Sequence, residues 1–229
     1  MRIARNTIAV LKNFSKINDG LCFEKGHTLR TVHTQKVMLA EAGLEEECPA
    51  EASLFSVKDF LRLIARSEHP PELTFDTTAS QDFPQGCVSV HEVETQKRIG
   101  SVAFCPPDVI KTPPKERLVV EKDIAFDLTA ADLAYLTTQP DKRMSEIVMC
   151  ASGVTVRLQK MLNDSIQGFI EVRNTLPDTA PFQGAIKTEY LKRLMTGPYA
   201  VHIAQKGLAH FRYKGFPLEY WVMLEKINK

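Results

Sequence analysis

The sequence predicts an α+β fold built from a duplicated unit, and three observations predict it. Short runs in which apolar and polar residues alternate are joined by tight turns, the signature of antiparallel sheet with one covered face. A strand followed by Ser or Thr and then a short helix with leucine-rich spacing recurs as LFSVKDFLRLI (54–64), FDLTAADLAYL (126–136) and AIKTEYLKRLM (185–195). The proline-rich stretch CPPDVIKTPPKERL (105–118) blocks both helix and central strand and divides the chain into near-equal halves. These place an N-terminal domain at 1–105, an interdomain linker at 106–118 and a C-terminal domain at 119–229, each with sheet and two helices.

A first helix is expected from about Asn6 to Ile17. A second starts after Ser56, where Ser56 and Asp59 make a capping-box-like pair, and a third after Thr129, where Thr129 and Asp132 repeat the device. A fourth follows Thr188 and stops near Gly197-Pro198. In the second half, Val154–Leu158, Tyr199–Ala204, Leu208–Tyr213 and Leu218–Leu224 alternate as strands. Ser152-Gly153, Lys206-Gly207 and Gly215-Phe216-Pro217 supply turns between them. His202 and His210 fall within these runs and read as ordinary surface or half-buried strand residues.

Net charge is only +1, yet its distribution is uneven. On a helical wheel Arg2, Arg5, Lys12 and Lys16 fall within an arc of roughly 80°, opposite Val10, Phe14 and Ile17. Lys58, Arg62 and Arg66 are spaced to line one side of the second helix. Lys192 and Arg193 lie away from Tyr190, Leu191 and Leu194, and the third helix has Lys142 and Arg143 just past its end. The helical segments together carry +8, so the remainder carries −7. Basic helix faces of this kind neutralise phosphates without reading base sequence.

Other chemistries find little support. No phosphate loop, GxGxxG, GxSxG or HExxH motif occurs. Cys22, Cys48, Cys87, Cys105 and Cys150 are odd in number and widely spaced, as expected of reduced structural thiols rather than a disulfide or zinc framework. Glu45-Glu46-Glu47 reads as a solvated acidic loop. No apolar run approaches the roughly 18 residues of a membrane span and no signal-peptide core opens the chain, so a cytosolic protein without cofactor, metal or membrane partner is expected.

Leu11-Lys12-Asn13-Phe14, Ile17-Asn18-Asp19-Gly20 and Ala40-Glu41-Ala42, together with the helix pattern and total length, resemble the sliding clamps of T4-like bacteriophages. The resemblance implies two similar clamp-type domains per subunit, with sheets outside and helices inside, and a homotrimeric ring closed by edge-strand pairing. It implies a non-enzymatic processivity factor that encircles duplex DNA, is opened and closed by a clamp loader and tethers the DNA polymerase in an infected bacterial cell. The eleven basic residues named above would then face DNA. By the same resemblance Leu39, Val109, Ile110 and Leu224 would wall a pocket for partner tails beside the linker. Two alternatives stand beside this. One is a non-encircling DNA-binding or assembly scaffold, and the other a two-domain enzyme with its site in the interdomain cleft.

Overall fold

The computed structural model describes the chain except residues 115, 117, 119–120, 139–144, 164, 177–180 and 226–229, and the side chain of residue 145. The chain divides into two compact units, Met1–Pro114 and Lys115–Lys229.

The first unit opens with α1 (Arg5–Phe14), followed by β1 (Leu21–Phe23), β2 (Gly26–Val32), β3 (Met38–Cys48), β4 (Ala52–Leu54), α2 (Val57–Ile64), β5 (Glu72–Asp76), β6 (Cys87–His91) and β7 (Arg98–Ala103). Its strands pair antiparallel in the orders β4-β1-β2-β3 and β5-β6-β7. The helices pack on each other, α1 against β3 and α2 against β7, so the pair joins the two sheets. Val10, Leu11 and Phe14 of α1 and Val57, Phe60 and Ile64 of α2 are buried at helical spacing. They meet Leu21, Leu29, Met38 and Leu54 in one core.

The second unit contains β8 (Ile124–Leu128), α3 (Ala130–Thr137), β9 (Ser145–Ser152), β10 (Thr155–Leu162), β11 (Ser165–Arg173), β12 (Phe182–Lys187), α4 (Thr188–Leu191), β13 (Tyr199–Ala204), β14 (Leu208–Tyr213) and β15 (Leu218–Met223). Its strands order as β15-β14-β13-β8 and β11-β10-β9-β12, again antiparallel. Gly153, at φ +56°, makes the turn between β9 and β10. Leu133, Leu136, Leu191 and Leu194 are buried, and Tyr199 and Tyr220 lose all solvent exposure.

Three expectations need correction. The first helix begins at Arg5 and ends at Phe14. Ile17 and Asn18 turn back onto the Phe14 carbonyl, which leaves Lys16 in a turn beyond the helix. The fourth helix is a single turn. Thr188 is buried with an unpartnered hydroxyl and caps nothing; Lys187 holds the N-cap position, and i→i+3 bonds at Arg193 and Leu194 tighten the chain after Leu191. Glu45-Glu46-Glu47 is not a loop but the end of β3. Glu46 accepts from the Ala4 amide at 3.1 Å and the Thr7 hydroxyl at 3.0 Å, and Glu45 from the Asn6 side-chain amide at 2.6 Å. Ala4 has no capping side chain, so the carboxylate of Glu46, some forty residues away in sequence, satisfies the start of α1.

Candidate nucleic-acid interface

In the first unit Arg2, Arg5, Lys12 and Lys16 are exposed on and around α1, and Lys58, Arg62 and Arg66 on and just past α2. These seven cations are not equivalent. Lys58 Nζ lies 3.4 Å from Asp19, and Arg62 pairs with Asp59 one turn before it. Both pairs are exposed and therefore weak, but each offsets a charge that the wheel had counted as available. Among the described residues no carboxylate pairs with Arg5, Lys12, Lys16 or Arg66.

Arg5 and Lys12, two turns apart, line one wall of an open cleft of about 350 Å³. The opposite wall is the end of α2 and the chain after it, with Ser67, Glu68 and His69 ahead of Pro70-Pro71. The Ser67 hydroxyl is buried and has no hydrogen-bond partner among the described residues. Sequence reasoning missed Ser67 and His69 because neither lies on a helix face; the Pro-Pro step fixing the chain after them was the available signal.

In the second unit Lys192 is exposed and Arg193 half-buried directly after α4, with the Arg193 guanidinium 5.9 Å from the centroid of Tyr190. Lys142 and Arg143 lie outside the described residues. The described part of α3 carries no basic residue.

Asp19 in the Ile17-Asn18-Asp19-Gly20 corner was counted by the sequence only as part of a resemblance. Its carbonyl accepts from Val57 N at 2.8 Å, and its carboxylate from Lys58 N at 3.1 Å and the Ser56 hydroxyl at 3.5 Å. Ser56 in turn accepts from Asp59 N at 3.3 Å. The start of α2 is thus satisfied jointly by its own N-cap and by a distant carboxylate. Residues 105–114 are tied down within the first unit: Asn18 Nδ2, which also donates to Val32 O, donates to Lys111 O, Lys111 Nζ donates to Thr34 O at 2.6 Å, and Arg30 to Pro114 O at 3.1 Å. Of the suggested pocket residues, Leu39 is buried in β3 and Ile110 is buried against Gly20, where a Cβ would stand 2.6 Å from Ile110 Cδ1. Val109 is 54% exposed, whereas Leu224 is buried beside Gly184 in the second unit.

The five cysteines are free thiols. Burial pushes the thiols of Cys22, Cys48 and Cys105 up, which disfavours the nucleophilic thiolate. Among the described residues no group of three or more His, Cys, Asp or Glu is placed to hold a metal ion, and no helix is long and apolar enough to cross a membrane.

No protein-family model matches the chain. It is 26% identical over 235 residues to the sliding clamp of Vibrio phage KVP40, covering 99% of this chain and 100% of that one. It is 29% identical over 77 residues to the sliding clamp of Escherichia phage RB69, 34% of each chain. Among solved structures it is similar to the PCNA2-PCNA3 complex of Sulfolobus tokodaii, with a TM-score of 0.65 and 10% identity over 95% of both chains.

Proposed function

We infer that the chain is a sliding clamp of the kind found in T4-like bacteriophages, which encircles duplex DNA and keeps a DNA polymerase on its template. The observation that carries this reading is similarity along the entire chain to a phage sliding clamp. The clamp-type α+β fold and the basic surface of α1 and α2 support it.

In this reading Arg2, Arg5, Lys12, Lys16, Lys58, Arg62, Arg66, Lys192 and Arg193 face the duplex. They contact phosphates rather than base edges, so the protein moves along DNA of any sequence. The role is one of tethering and requires no catalytic group. The partners are duplex DNA, a DNA polymerase and an ATP-driven clamp loader, in the cytoplasm of the infected host. Val109, exposed on a segment strapped to the first unit, is open to a partner's tail.

Three copies close the ring by pairing strand edges. Four edges are covered locally: β4 by the Cys105 amide donating to Ser53 O, β5 by the Arg2–Glu72 bridge, β8 by Thr175 donating to Ala125 O, and β12 by the Ala185–Glu225 bridge. Strands β7 and β11 have no such cover among the described residues, and β11 exposes Ile166 and Phe169. Uncovered edges with apolar side chains invite another strand. Pairing β7 of one copy with β11 of the next covers both.

The deciding experiment combines mass in solution with retention on DNA. The expected result is a trimer that, once loaded, stays on a nicked circle and is lost when the circle is linearised. A monomer at every concentration, bound equally to circular and linear DNA, overturns the reading.

A further inference from the structure

We propose that the cleft between α1 and the end of α2 seats a single backbone phosphate of duplex DNA, so that contact in the first unit is a discrete docking rather than a uniform basic lining. The inference rests on the clamp reading and assigns the ligand of one part of its surface. Three observations carry it.

The first is charge. Arg5 and Lys12 both line the cleft and neither has an ion-pair partner among the described residues. Lys58 and Arg62, farther back along α2, are paired with Asp19 and Asp59. Two of the first unit's unpaired cations therefore line the cleft, while Lys16 and Arg66 stand outside it. Glu68 on the opposite wall offsets part of the cleft's charge and leaves an excess that matches a singly charged phosphodiester.

The second is donor geometry. Seven residues of helix separate Arg5 from Lys12 by about 10 Å along the axis, so the two side chains converge on the cleft from either end. Guanidinium supplies a planar fork for the two non-bridging phosphate oxygens, and ammonium a point charge beside them. Across from them stand the imidazole of His69 and the residue Ser67.

The third is rigidity and size. Pro70-Pro71 ends the far wall, and the Pro71 carbonyl accepts from Ile3 N at 3.2 Å, tying that wall back to the chain entering α1. At about 350 Å³ the open cleft has room for a phosphodiester with its flanking sugar edges.

The test compares two variants of equal charge change in the full-length protein, Arg5→Gln/Lys12→Gln and Lys58→Gln/Arg62→Gln, binding a 20-base-pair linear duplex that threads freely through a ring. The cleft pair is expected to weaken binding about tenfold more than the other pair and to lower the slope of log affinity against log salt by about 1, the release expected for one phosphate. His69 ring-proton signals are expected to shift on adding the duplex and to stay put in Arg5→Gln/Lys12→Gln. Equal losses from the two pairs, or bound duplex with unmoved His69 signals, overturn the cleft while leaving the clamp reading intact. Inorganic phosphate alone moving His69 at low millimolar concentration, with duplex leaving it unmoved, makes the cleft a free-anion site and also overturns the proposal. A wild-type protein that binds no duplex defeats the clamp reading itself.

Discussion

His202 and His210 face each other across β13 and β14, their rings 5.9 Å apart. His210 stacks on Trp221 at 4.8 Å and meets the Glu219 carboxylate at 2.9 Å. His202 has a buried Nδ1 without a partner, and its pKa is held below the usual histidine value by burial, then by Lys122, His210 and Arg212, with Glu219 opposing. A histidine whose folded pKa lies below its unfolded one binds fewer protons folded than unfolded in the window between them. The contribution of His202 to stability is therefore complete above the unfolded value of about 6.5 and is lost as pH falls toward the folded value. Denaturant unfolding should show the protein less stable at pH 5.5 than at pH 7.5, and His202→Asn should reduce that difference. The alternation of Tyr199–Ala204 made the strand legible. The pairing of the two histidines was not, because it depends on strand register, which alternation alone does not fix.

The helices show what local sequence reports and what it leaves out. Ser56 and Thr129 were both readable as N-caps, and Thr129 with Asp132 closes a full reciprocal capping box. At α2 the Asp59 side chain goes to Arg62 instead, and the Asp19 carboxylate accepts from the Lys58 amide in the first turn. That contact spans 39 residues, so no window of sequence contains it. The same holds for Glu46 at α1, which is why an acidic triplet read as a solvated loop. Asp19→Ala should destabilise the protein by about 1 kcal/mol, the usual cost of a lost helix cap. Lys58→Ala, which removes only an exposed ion pair, should cost less. Equal losses in denaturant midpoint would show that Asp19 acts through Lys58 rather than through the helix amides. At α4 the sequence misled because Thr188 turns inward, and a threonine before a helix looks the same whether it caps or packs.

For the molecule as a whole, the basic helix stripes and the alternation of strands were legible because both are periodic properties of local sequence. Which edges remain uncovered was not, since the covers at Cys105, Arg2, Thr175 and Glu225 come from residues outside the strands they protect. If β11 is a ring-closing edge, Ile166→Lys together with Phe169→Lys should shift the trimer to monomer in sedimentation while leaving the far-UV circular dichroism unchanged. Both side chains are more than half exposed, so the substitutions leave no cavity within the subunit. A persisting trimer would assign closure to another edge.

The ion pairs of Lys58 and Arg62 bear on how such a ring would travel. Every phosphate gripped by a free cation must be let go before the protein can advance, so the number of unengaged cations sets the drag on the duplex. By pairing two of its lysine and arginine side chains with its own carboxylates, the first unit would lower that drag if these helices face the duplex as proposed. Threading alone would prevent escape, which leaves the surface free to be slippery.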